Sequence, residues 1–80
     1  MREEIQRFIA KEDKQKITRL LGPAIQATRY GSHIEEMYYE RRENGEEFVL
    51  VKYRNRSVPQ RINVTDNNGI MMIEKVLRLI

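Results

Sequence analysis

The sequence has no cysteine and only one histidine among its 80 residues. Without cysteine, the chain has no disulfide to stabilise a small fold and no thiolate to bind a metal ion. It also has no apolar run near the ~18 residues that a membrane-spanning helix requires. Its amino-terminal segment carries acids where a secretion signal is apolar. These absences predict a soluble, cytoplasmic protein that contacts no membrane.

A chain of this length is enough for one small domain, and we expect residues 1–80 to fold as a single unit. Such a chain buries only about 60–65% of its unfolded surface, so its core is thin. The sequence contains no internal repeat, low-complexity tract or linker. The core must therefore come from a few helices and strands that pack directly on one another.

Charge is distributed unevenly along the chain, although the formal net charge is only +3. Residues 35–47 hold six acids against two arginines, whereas residues 14–29 and 52–61 each hold four basic residues and no acid. Proteins that bind nucleic acid usually carry a denser basic stripe. The pattern favours a solvated surface of mixed charge.

The first 21 residues have the apolar spacing of an amphipathic helix, with the two groups Ile5, Phe8, Ile9 and Ile17, Leu20, Leu21. The polar residues 11–14 separate the groups, so either one helix forms or two short helices meet near Asp13. Gly22 suits the position after a last helical turn and Pro23 cannot donate an amide, which predicts that the helix stops there. Residues 24–33 have no clear pattern.

Residues 37–42 and 47–54 are rich in aromatic and β-branched side chains and flank Asn44-Gly45, which predicts a β-hairpin. Asn-Gly suits a two-residue type I′ turn. That turn would pair Tyr38 with Val51 and Tyr39 with Leu50. Alternation then gives one face with Tyr38, Val49, Val51 and Tyr53, and another with Met37, Tyr39, Arg41, Phe48, Leu50, Lys52 and Arg54.

A third strand is expected over residues 60–65, directly after Pro59. Pairing Tyr53 with Val58 would set Ile62 and Val64 beside Val49 and Val51. Residues 66–69 then break the strand and offer helix caps, and residues 70–80 form the last helix. The predicted class is α+β, in two layers: an N-terminal helical segment, a three-stranded antiparallel meander, and a C-terminal helix packed on the sheet.

The order helix, three strands, helix has the same outline as double-stranded-RNA-binding domains. Those domains carry a lysine cluster at the start of their last helix. Here that helix begins Gly69-Ile70-Met71-Met72, with no basic residue. The outline therefore assigns the chain to no family.

No residue pattern predicts catalysis. His33 lies beside Ser32, but one histidine without a spaced acid and an oxyanion motif specifies no triad. The hairpin glutamates fit a solvated edge better than a carboxylate pair, and residues 66–69 lack the spacing of a calcium loop. The sequence has no glycine-rich phosphate loop. We therefore expect no enzyme, no metal and no cofactor.

The last helix supports the first of two functional hypotheses. Eight of the eleven residues from 70 to 80 are apolar, more than one sheet covers. The chain is then a protein–protein interaction module (a subunit, adaptor or inhibitor) that pairs with itself and with an unidentified protein. The predicted dimer interface consists of Met71, Met72, Val76, Leu79 and Ile80. The alternative is a monomer in which the N-terminal helix covers these side chains.

The second hypothesis is a small nucleic-acid-binding accessory protein. A sheet face that mixes aromatic and basic side chains can stack bases and neutralise phosphates. The predicted contacts are Tyr39, Phe48, Lys52, Arg54, Arg56 and Arg61, the arginines clustering around one turn. The alternative places Met37, Tyr39, Phe48 and Leu50 beneath the N-terminal helix.

Overall fold

The computed structural model describes the backbone of residues 2–80 and the side chains of residues 14–29 and 31–80. The elements are helix α1 (Arg2–Gln26), a 3-10 turn (Arg29–Gly31), strands β1 (Ile34–Arg41), β2 (Glu47–Tyr53) and β3 (Gln60–Asn63), and helix α2 (Gly69–Leu79). The strands form an antiparallel sheet in the order β1-β2-β3. The predicted α+β fold and its order of elements are confirmed.

Both helices pack on one face of the sheet. The core on that face is built around Val49 and Val51 of β2, with Ile25 from α1 and Met72 and Val76 from α2. Complete burial of such a side chain contributes about 1.5–3 kcal/mol. Phe48 and Leu50 alternate with the valines and lie outside this core, on what we call the outer face. The domain therefore has a helical layer and a sheet layer.

The expected helix stop at Gly22 is wrong, because α1 continues through Pro23 as one helix to Gln26. A Cβ atom at Gly22 would lie 3.4 Å from the Met37 Cβ, so the glycine lets the helix approach β1 closely. Ile25, one turn later, is buried in the core. This packing outweighs the local cost of proline and glycine in a helix.

The hairpin lies where expected, but its predicted register is wrong by one residue. Tyr38 pairs with Leu50 and Tyr39 with Val49. The Arg42 amide donates to the Glu46 carbonyl at 2.8 Å, so residues 43–45 form a three-residue loop. Gly45 closes it with a φ of 91°, as such loops require. A slip of one residue exchanges the faces of β1, so Met37 and Tyr39 join the core face and Tyr38 the outer face.

The register of the third strand is confirmed, with Val49 opposite Ile62 and Val51 opposite Gln60. The strand ends at Asn63, two residues before the expected end. After it, the Asn68 side chain accepts a hydrogen bond of 2.9 Å from the Met71 amide and caps α2. The cap fixes the start of the helix at Gly69.

Candidate interaction surfaces

Helices α1 and α2 lie side by side and run in the same direction across the sheet. At one end, the Lys14 amine is 2.9 Å from the Val64 carbonyl, just before α2 begins. At the other end, Gln26 donates to the Ile34 carbonyl at 3.1 Å. The Leu79 carbonyl accepts from Gln60 at 3.3 Å near that same end. One flank of each helix therefore faces the other helix.

These facing flanks carry an exposed apolar surface. A Cβ atom at Gly69 would fall 2.6 Å from Ile17 Cδ1, which shows where the helices meet. Leu20 follows Ile17 by one turn on α1, and the spacing of Ile70, Ile73 and Leu77 puts them on the corresponding flank of α2. Leu20 is 74% exposed, Ile70 71% and Leu77 53%. We name Leu20, Ile70, Ile73 and Leu77 the interhelix patch.

The predicted dimer interface is only partly at the surface. Met72 and Val76 are completely buried against the sheet, so these two residues belong to the core and are not available to a partner. Met71, Leu79 and Ile80 are exposed. The sequence alone did not predict the interhelix patch. Which apolar residues of α2 remain exposed depends on the side of the helix that packs on the sheet, and the sequence does not specify that side.

Phe48 does not offer a free ring for base stacking. Its side chain is 7% exposed on the outer face. The guanidinium carbons of Arg42 and Arg61 lie 4.7 Å and 5.5 Å from the ring centre. The ring is therefore already engaged in cation–π contacts. The alternative that α1 covers Met37, Tyr39, Phe48 and Leu50 is confirmed for Met37, which is buried beside Gly22 of α1. It is wrong for Phe48 and Leu50, since α1 packs on the opposite face.

Tyr39 lies on the core face, apart from Phe48, Lys52 and Arg61, so the prediction that they share one face is wrong. Its hydroxyl donates a hydrogen bond to Glu47 Oε2. Burial, and next this hydrogen bond to a carboxylate, raise the pKa of Tyr39 above its ordinary value. The Tyr39 hydroxyl is therefore engaged within the domain.

The sequence reading missed a buried ionic network around Lys14. Lys14 is 1% exposed, and its amine lies 3.2 Å from Glu47 Oε2 in addition to its bond to the Val64 carbonyl. Thr18 Oγ1 donates to the Lys14 carbonyl at 2.8 Å. Within the part of the chain whose side chains are described, no buried polar side-chain atom lacks a hydrogen bond. The network holds α1 to the sheet.

Six basic side chains lie on β2 and β3, in the turn that joins these strands, or in the segment that precedes β1. The guanidinium carbon of Arg61 lies 5.5 Å from the Phe48 ring centre, and that of Arg56 lies 4.8 Å from the ring centre of Tyr53, a core residue. The Arg54 amide donates to the His33 carbonyl at 2.9 Å, which brings the segment after α1 beside the β2–β3 turn. Of the arginines in the set, none forms an ion pair with an acid among the side chains described, while Lys52 lies 4.0 Å from a Glu35 oxygen. We name this set the basic surface: Arg29, His33, Lys52, Arg54, Arg56 and Arg61.

Comparison with known proteins gives no match: no family, no curated protein and no solved structure resembles the chain closely enough to count. Within the described residues, no three histidine or acidic side chains are grouped so that they could hold a metal ion. No helix in the same part of the chain has both the length and the apolar character to cross a bilayer. Function therefore has to be inferred from the two surfaces themselves.

Proposed function

We propose that the protein is a non-catalytic protein–protein interaction module that forms a homodimer through the interhelix patch. The observation that supports this best is the exposure of large branched side chains in adjoining positions of two parallel helices. Removing apolar surface from water is worth about 25 cal/mol per Å². Contiguous exposed apolar surface on a small protein is typical of an interaction site.

A second copy of the chain is the partner that fits the patch. Its centre is uncharged and apolar, so it complements itself, as the surface at a two-fold axis must. Glu74 and Arg78 lie on the exposed side of α2 and carry opposite charges. In a two-fold dimer, the edge of the interface would therefore carry both positive and negative side chains, so that opposite charges can face each other there.

The molar mass in solution tests this proposal, by sedimentation equilibrium from low to high micromolar concentration. We expect a reversible dimer. Leu77→Glu should dissociate it, because a buried carboxylate without a partner costs several kcal/mol. Leu79→Glu is the matched control: it places the same charge on an exposed leucine of α2 outside the patch, and the dimer should persist.

Two outcomes would contradict the proposal in different ways. A mass of one chain at every concentration would exclude the homodimer. A dimer that resists Leu77→Glu and dissociates with Leu79→Glu would move the interface to the flank that carries Met71. Circular dichroism of both variants verifies that each retains the fold.

A further inference from the structure

Four of the six members of the basic surface lie on a stretch of the chain that contains no acidic residue. From residue 48 to residue 65, which includes nearly all of β2, the following turn and β3, the sequence has no aspartate or glutamate. On β1, in contrast, Glu36 lies opposite Lys52 and Glu40 opposite Phe48. From Phe48 onward, the charged side chains of β2, the following turn and β3 are therefore all basic, and they form a strip that ends beside the segment carrying Arg29 and His33.

We infer that the basic surface binds the phosphate backbone of a nucleic acid. Four of its six members are arginines, whose planar guanidinium groups match the oxygens of a phosphate with two parallel hydrogen bonds. Lys52 lies near the end of β2, and Arg54 follows directly after the strand, where its amide donates to the His33 carbonyl. Arg61 on β3 lies opposite Leu50, diagonal to Lys52. A row of cations spaced in this way follows a chain of phosphates better than it encloses a single small anion.

The contacts are to the backbone and do not include base stacking. The Phe48 ring is covered by Arg42 and Arg61, and Tyr39 lies on the core face. Tyr38 is 40% exposed on the outer face opposite Leu50, but it belongs to β1, the strand that carries Glu36 and Glu40. We therefore expect binding to depend mainly on charge and to be independent of base sequence.

The shape of the strip favours a nucleic acid over an anionic membrane. A flat lipid surface would also meet Glu36 and Glu40, which share the outer face with the strip. Val58 is exposed in the β2–β3 turn, but a single valine adds little to membrane binding. The outer face also lies opposite the helical layer, so this inference does not depend on dimer formation through the interhelix patch.

Fluorescence anisotropy with labelled single-stranded and duplex oligonucleotides of DNA and RNA, titrated with salt, tests the inference. The variant Arg54→Gln/Arg56→Gln/Arg61→Gln should weaken binding to every sequence alike. The slope of log K against log salt should fall by about 2–3, since each lost phosphate contact removes about 0.7–0.9. The control Arg19→Gln/Arg41→Gln/Arg78→Gln removes the same charge from exposed arginines outside the strip and should keep the wild-type slope.

Three outcomes would overturn the inference. The first is the absence of binding to any oligonucleotide at low salt. The second is an equal loss in the control variant, which would assign the effect to net charge alone. The third is tighter binding to vesicles of anionic lipid than to nucleic acid, with the same dependence on the three arginines. A failure here leaves the dimer proposal intact, because that proposal is decided by molar mass.

Discussion

Lys14 is a cation inside the domain, held by the Val64 carbonyl and the Glu47 carboxylate. These partners come from the segment after β3 and from the start of β2, so one side chain ties α1 to two distant parts of the chain. The sequence places Lys14 on the same helical face as Thr18 and Ile25. Hydrophobic patterning alone did not predict its burial, because lysine is rarely buried without a partner, and both partners are distant in the sequence.

We predict that Lys14→Ala lowers the free energy of unfolding by about 3–5 kcal/mol, the usual cost of removing one partner from a buried ion pair. The change leaves the Glu47 carboxylate without its cation and opens a cavity. Urea denaturation measures the effect, with Lys16→Ala as the control. Lys16 is exposed one half-turn away, and its replacement should change stability by no more than about 0.5 kcal/mol. Equal effects of the two changes would show that the buried pair contributes nothing.

At the level of elements, the two hairpins of the sheet differ in how well their sequences specify the register. In β3 and the residue that follows it, Ile62 and Val64 alternate strictly with Arg61 and Asn63, which leaves one orientation possible, and the expected pairing with β2 is confirmed. In β1, residues 37–39 are three consecutive apolar residues that fit either face. The loop length then decides the register, and the Asn-Gly pair closes a loop one residue longer than expected.

That single residue changed the candidate site. With the expected two-residue turn, Tyr39 joined the outer face and the basic side chains. In the observed register it contacts Glu47 in the interior. The predicted helix end at Gly22 was wrong for a related reason, since packing on β1 overrides local propensity. Local patterns therefore predicted the order of the elements, but they did not predict which face of the sheet each side chain of β1 occupies.

Replacing Gly45 tests the observed three-residue hairpin loop. Its φ of 91° is unfavourable for other residues. A Cβ atom added at Gly45 would have no neighbouring atom within 4 Å, so a side chain there causes no steric clash. Gly45→Ala should therefore cost about 1–2 kcal/mol through backbone conformation alone, and Gly45→Asn less, because asparagine tolerates this region better.

Gly31→Ala provides the contrast, because its Cβ would lie 2.0 Å from the Ile25 carbonyl oxygen, a clash that should cost more. Urea denaturation of the three variants should show the smallest loss of stability for Gly45→Asn, a larger loss for Gly45→Ala and the largest for Gly31→Ala. A neutral Gly45→Ala would contradict the observed loop.

At the scale of the whole molecule, the interhelix patch and the basic surface belong to different layers of the fold. The helical layer presents the interhelix patch and the open sheet presents the basic surface. A dimer formed through the helices would carry two basic surfaces facing away from each other. Such a dimer could hold two segments of nucleic acid at once, and the second contact would benefit from the high local concentration that the first creates.

The dimer also has a consequence for thermal stability. An association that involves only the folded chain stabilises it by mass action, so the midpoint of thermal unfolding should rise with protein concentration. Leu20→Ser/Ile70→Ser should remove this dependence, since both side chains are largely exposed within one chain and their loss opens no cavity in the core. At low concentration, where the monomer prevails, the variant and the wild-type protein should unfold within a few degrees of each other, as about 0.5 kcal/mol per surface change implies. Circular dichroism at increasing concentrations measures both curves. A wild-type midpoint that does not change with concentration, or a variant whose midpoint rises as steeply, would show that these two side chains do not hold a partner.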